Sequence, residues 1–200
     1  MNPSPTPVGA RRPPLAVLFD RDGTLVVDVP YNGDPARVVP MPTSQGSLAL
    51  LRSAGIALGV VTNQSGIARG ILDRGSVDAV NERIERLLGH FDVWCVCPHG
   101  PEELCSCRKP LPGMILDAAR ELGFAASDIA VIGDIGSDMD AAKAAGARGV
   151  LVPTPRTLQA EVDRAAEVAP TIAAAVELLL SGAEPNWSGG EAAARSEARP

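Results

Sequence analysis

Leu15-Ala16-Val17-Leu18-Phe19-Asp20-Arg21-Asp22-Gly23-Thr24 is the stretch on which the reading of the fold turns. Five apolar residues run without interruption into two carboxylates and a glycine. A short continuous apolar run suits a strand buried on both faces, as in a parallel sheet. Similar runs recur at 56–61, 92–97, 129–132 and 149–152. Between them lie helical patterns at 44–54, 113–122, 138–145 and 172–180. A further helix is capped by Ser76, with Val77, Val80, Ile84, Leu87 and Leu88 on one face. Apolar strands alternating with helices predict an α/β fold, a parallel sheet with helices on both faces. Sheets of that kind bind ligands at the carboxyl ends of their strands. Chemistry is therefore expected in the loops that follow each strand.

The flanking segments differ. Residues 1–14 carry five prolines and no apolar periodicity, and 181–200 are similarly polar and small-residue rich, so both are expected to be disordered tails around a domain at 15–180. The chain has 200 residues, 46% hydrophobic and only 3% aromatic, so its core must be built from Ala, Val, Leu and Ile. A net charge of −6 argues against a phosphate-gripping nucleic-acid binder and against a polybasic membrane binder. No apolar run reaches the roughly 20 residues of a membrane helix, and none follows Arg11 and Arg12 as a signal peptide requires. A cytoplasmic protein is expected, and nothing in the pattern calls for a dimer interface, so a monomer is expected too.

Three strand ends carry polar motifs. Asp20 and Asp22, two apart in extended chain, would face one side, with Gly23 permitting a sharp turn. An ordinary Asp-Gly turn would look the same. Thr62-Asn63-Gln64-Ser65-Gly66 offers hydroxyl, amide and backbone donors suited to a phosphate oxygen, although such residues also make plain turns. Gly133-Asp134 follows the fourth strand. Asp20, Asp22 and Asp134 together would form an oxygen pocket fit for Mg²⁺. Asp138 is read as capping the next helix rather than ligating.

All four cysteines lie between 95 and 107. Cys97, His99, Cys105 and Cys107 form a Cys₃His set, the shell of a closed structural zinc site. Small buried thiols beside a surface histidine are the plainer alternative. Cys95, inside the strand, is read as a packed apolar side chain. Arg108 and Lys109 follow the cluster directly, and Lys109 sits where a loop could deliver positive charge to a phosphate.

The order of these motifs, Asp20–Thr24, Thr62–Gly66, Arg108–Pro110 and Gly133–Asp138, resembles the haloacid dehalogenase (HAD) superfamily of phosphohydrolases over roughly residues 15–180. The cysteine loop narrows the resemblance to the branch holding the heptose bisphosphate and histidinol-phosphate phosphatases. It implies a Rossmann-like HAD fold with no large cap domain. It also implies Asp20 as nucleophile through an aspartyl-phosphate and Asp22 as proton donor and acceptor. Mg²⁺ would be held by Asp20, the backbone carbonyl of Asp22 and Asp134. Thr62 and Lys109 would stabilise the transferring group. Asp28, Tyr31, Asn63, Gln64, Ser65 and Arg108 are implied to contact substrate. The heptose enzymes often carry Lys after the fourth-motif Asp; here Ile135 stands there, removing one cation.

The expected function is removal of a phosphate from a small phosphorylated sugar, a heptose 1,7-bisphosphate at C7. Histidinol phosphate is the alternative substrate, and a non-catalytic zinc module the alternative of another class. A zinc module has no need of Asp20, Asp22, Thr62, Lys109 and Asp134 together.

Overall fold

A computed structural model describes residues 12–181. Five strands, β1 (Ala16–Phe19), β2 (Ala57–Asn63), β3 (Val93–Cys97), β4 (Ile129–Gly133) and β5 (Arg148–Leu151), form one sheet in the order β3-β2-β1-β4-β5. Every pairing is parallel. The register sets Phe19 beside Val60 on one neighbour and Ile132 on the other, so the strand ends form one edge.

The helices are α1 (Ser44–Ser53), α2 (Arg74–Leu88), α3 (Gly113–Leu122), α4 (Gly136–Ala145), α5 (Gln159–Arg164) and α6 (Ile172–Ser181). Strand alternation divides the core in two. Val17 and Phe19 point into a cluster with Leu48, Leu51, Ile84 and Val176 from α1, α2 and α6. Ala16 and Leu18 point into the opposite cluster, with Ile115, Ala118 and Ala141 from α3 and α4. All four of these β1 residues are completely buried, which explains the apolar run in the sequence. The sheet is thus covered on both faces, as expected.

The differences are local. Ser76 does not cap α2. Asp73 does, its side chain accepting the Ser76 N–H at 2.8 Å, and the helix begins at Arg74. A carboxylate at this position meets the positive end of the helix better than a hydroxyl. The short helix α5 had no apolar periodicity to announce it; none of its residues is buried. Ser181 ends α6 rather than starting a tail. The tail readings for 1–11 and 182–200 lie outside the described residues. Among the described residues no helix is long and apolar enough to cross a membrane.

Candidate active site

Asp20 leaves β1 still paired to β4, its N–H donating to Ile132 O at 2.9 Å. The chain then reverses: Leu25 and Val26 both donate to Arg21 O, and Gly23 donates to Val26 O. Gly23 takes φ +87°, and a Cβ there would stand 2.4 Å from Asp134 Oδ2. Glycine is thus required twice, for the left-handed backbone and for the close approach of Asp134.

Lys109 arrives from the loop after β3 and is buried among carboxylates. Its Nζ donates to Asp20 Oδ1 at 2.5 Å and to Val61 O at 2.8 Å, and lies 2.6 Å from Asp138 Oδ1. Asn63 steers this residue into place: its amide donates to Lys109 O and its carbonyl accepts the Lys109 N–H, both at 3.1 Å. Thr62 ends the buried part of β2 and accepts from Gln64 Nε2 at 2.9 Å.

Asp22 is held by residues that the sequence motif alone does not single out. Arg21, only 1% exposed, donates through Nε and Nη2 to Asp22 Oδ2 at 3.1 and 2.9 Å. Its Nη1 donates to Asn81 Oδ1 on α2 at 2.9 Å. Gln64 Nε2 adds a third bond to Asp22 Oδ2 at 2.8 Å. A buried arginine is costly unless paired, so this network is bound to the fold. The sequence signal was present, a charged residue wedged between two carboxylates, but its partner Asn81 is 60 residues away.

Asp20, Asp134 and Asp138 offer carboxylate oxygens within 4.8 Å of one another. Thr24 Oγ1 donates to Asp134 Oδ1 at 3.3 Å. Burial pushes the Asp20 carboxyl up to about 8, against the pull of Lys109 and with the help of Asp138, Asp134 and Asp22. Burial, then Asp138, pushes Asp134 up to about 7. Burial alone would lower Lys109, but Asp138 and Asp20 hold it above the usual range. One ammonium among three buried carboxylates leaves negative charge in excess, and a hard divalent cation is the group that such a donor set fits. Asp138 is committed elsewhere: besides Lys109, it accepts the Ile135 N–H at 3.2 Å at the start of α4.

The second donor set is sulfur-rich. Cys97 Sγ lies 3.2 Å from Cys107 Sγ, 3.8 Å from Cys105 Sγ and 3.6 Å from His99 Nδ1, and His99 Nδ1 lies 3.2 Å from Cys107 Sγ. Ligands of a tetrahedral zinc with bonds near 2.3 Å stand about 3.8 Å apart, so these four converge on a zinc-sized centre. Cys95 stays out and packs against the α3–α4 core, where burial pushes its thiol up to about 11.

A cleft of about 310 Å³ opens over the strand ends. Asp20, Asp22, Asp28, Tyr31, Thr62, Asn63, Gln64, Ser65 and Lys109 line it, together with Ile135. Arg108 and Asp134 do not. Arg108 Nη1 donates to His99 O at 3.2 Å. Tyr31 Oη accepts from Arg69 at 2.9 Å, and Asp28 is ion-paired to Arg156. Arg156, which also lines the cleft, carries no motif; its only sequence signal is a place in the loop after a strand.

A HAD-hydrolase-like family model matches residues 106–177. The D-glycero-β-D-manno-heptose-1,7-bisphosphate 7-phosphatase of Bordetella bronchiseptica is 35% identical over 176 residues, 84% of this chain and 98% of that one. The enzyme of that name from Pseudomonas putida is 36% identical over 172 residues, 82% and 98%. The crystal structure of a D,D-heptose 1,7-bisphosphate phosphatase from B. bronchiseptica, complexed with magnesium and phosphate, aligns with a TM-score of 0.75 and 31% identity over 84% of this chain and 99% of that one. The likeness thus covers more than four-fifths of the chain, which belongs to the HAD-like phosphatases, in the family of the D-glycero-β-D-manno-heptose-1,7-bisphosphate 7-phosphatases.

Proposed function

We propose that the chain is a Mg²⁺-dependent phosphomonoesterase that removes the C7 phosphate of D-glycero-D-manno-heptose 1,7-bisphosphate through an aspartyl-phosphate. The observation that carries this is the placement of Asp20, beside Lys109 and the Asp134 carboxylate, at the floor of a cleft whose wall presents Asp22. Phosphate monoesters resist attack through their own negative charge, so catalysis is chiefly positioning and charge neutralisation.

A carboxylate oxygen of Asp20 attacks phosphorus while the bond to the C7 oxygen breaks. Asp22 gives its proton to that departing oxygen. Water then attacks the phosphorus of the aspartyl-phosphate, Asp22 takes its proton, and the bond to Asp20 breaks to release inorganic phosphate and the free carboxylate. Arg21 and Gln64 hold Asp22 in line for both transfers. Lys109 and Thr62 are donors aimed at the transferring group, fixed beforehand by Asp138 and Gln64. Asp20, Asp134 and the backbone carbonyl of Asp22 would hold Mg²⁺, which would supply countercharge for the transferring phosphoryl group. The Cys97, His99, Cys105 and Cys107 set fits a structural zinc that braces the loop delivering Lys109. Asp28 and Tyr31 at the cleft mouth, with Ser65, are assigned to the sugar, and Arg108 to its outer polar groups.

The test is phosphate release in Mg²⁺ from the heptose 1,7-bisphosphate and, separately, from histidinol phosphate. A strong preference for the heptose is expected. Preference for histidinol phosphate would keep the chemistry and replace the substrate.

A further inference from the structure

We propose that Arg156 binds the second phosphate of the substrate, the one that is not cleaved, and so separates bisphosphorylated from monophosphorylated sugars. This rests on the sugar-phosphatase reading above.

The cleft carries charges of both signs. Three cations line it: Arg21, Lys109 and Arg156. Lys109 is buried and engaged with Asp20, Asp138 and Val61 O. Arg21 is buried with its guanidinium donating to Asp22 and Asn81. Turning outward would cost Lys109 its two buried carboxylates and Arg21 its bonds to Asp22 and to the buried Asn81. The Arg156 side chain is 61% exposed, and Asp28, its guanidinium's partner among the described residues, is 28% exposed at the cleft mouth. An exposed ion pair contributes little, so an incoming phosphate dianion displaces or joins it cheaply. Only Nη1 engages Asp28, which leaves donors of the planar fork for two phosphate oxygens.

The loop bearing Arg156 is fixed to the reacting centre. Thr157 Oγ1 donates to the backbone carbonyl of Asp134 at 2.5 Å and accepts the Thr154 N–H at 2.8 Å. Thr154 Oγ1 in turn accepts the Arg156 N–H at 3.2 Å. Glu161 ties the same segment to α4, accepting from Leu158 N and Gly136 N, both at 2.9 Å. The Arg156 backbone is therefore set at a constant offset from Asp134, while its guanidinium, held only through Nη1 by Asp28, keeps its other donors for ligand. Between the two, Ile135 and Ser137 line the cleft and place no competing charge there. A substrate with a second phosphate meets a cation at the mouth.

The experiment compares steady-state hydrolysis of the heptose 1,7-bisphosphate with that of the same heptose carrying only the 7-phosphate, by wild type, Arg156→Gln and Arg156→Lys. Wild type should favour the bisphosphate. Arg156→Gln should lose about 10- to 100-fold in kcat/KM on the bisphosphate, mainly through KM, and leave the 7-phosphate unchanged. Arg156→Lys should recover part of the loss. Equal losses on both substrates would reduce Arg156 to a loop anchor and overturn the assignment, as would no loss on either. A wild-type chain that hydrolyses the 7-phosphate as well as the bisphosphate overturns the assignment but leaves the phosphatase; one that hydrolyses neither removes both.

Discussion

At the residue scale, the site is a contest between burial and charge. Asp20→Asn removes the proposed nucleophile and one of the crowded carboxylates together. Turnover should fall by about 10⁴-fold or more. Thermal unfolding without divalent cations should not occur earlier, because Lys109 keeps Asp138 and the repulsion from Asp134 is relieved. Retention of full activity would sink the covalent route. Gly23→Ala tests the turn. The left-handed backbone costs about 1–2 kcal/mol by itself, and the Cβ must also displace the Asp134 carboxylate from 2.4 Å. Lower stability with a loss of Mg²⁺ affinity is expected, read by thermal unfolding in a magnesium titration; an unchanged affinity would separate the turn from the metal site. Arg21→Gln leaves Asp22 with Gln64 and weakens Asn81. It should cost about 3 kcal/mol in denaturant unfolding, since a buried charged donor is lost to both partners.

At the element scale, the segment between β3 and α3 carries the cysteine set and, two residues after its last member, Lys109. Asn63 grips the Lys109 backbone from β2, so the loop is held at two points. Cys107→Ser should bring zinc content well below the about one ion per chain expected for a closed four-ligand shell, and should lower kcat through misplacement of Lys109. Cys95→Ser, on β3 and half-buried against the α3–α4 core, should keep its zinc. Metal analysis of the two variants decides it: equal zinc in both would remove the cluster as a binding site. Because Lys109 follows Cys107 by two residues, a structural ion in the cluster would act on activity through the placement of Lys109.

At the scale of the whole molecule, the excess of buried negative charge couples stability to pH and to magnesium. Asp20 and Asp134 titrate near 8 and 7 in the folded chain against about 3.8 when free. Raised carboxyls hold their protons more tightly folded than unfolded. Their contribution is therefore present at acid pH and is lost as pH climbs from about 4 through 7 to 8. Magnesium bound among them would supply the missing countercharge. The rise in melting temperature on adding Mg²⁺ should be small at pH 5.5 and large at pH 8; an increment independent of pH would contradict the crowding of these groups. The central position of β1 has its own consequence. Phe19 is completely buried one residue before the nucleophile, so Phe19→Ala should cost about 3–5 kcal/mol and disturb Asp20 as well.

The apolar runs and the helical periodicities determined the class of fold from the sequence alone, because burial on two faces leaves a local signature in each strand. The same holds for the four-ligand cysteine set, whose members lie within eleven residues, and for the carboxylates that follow β1 and β4, which motif order made recognisable. The cap of α2 was misplaced by three residues because Asp73 and Ser76 are both good capping residues, and only the backbone geometry chooses between them. Helix α5 escaped because no residue of it is buried. What the tertiary structure alone decided is how the charges are shared. Lys109 meets Asp20 across 89 residues, Arg21 meets Asn81 across 60, and Arg156 meets Asp28 across 128. Such pairs leave no periodic trace in the chain; they exist because a parallel sheet brings the carboxyl ends of distant strands to one edge.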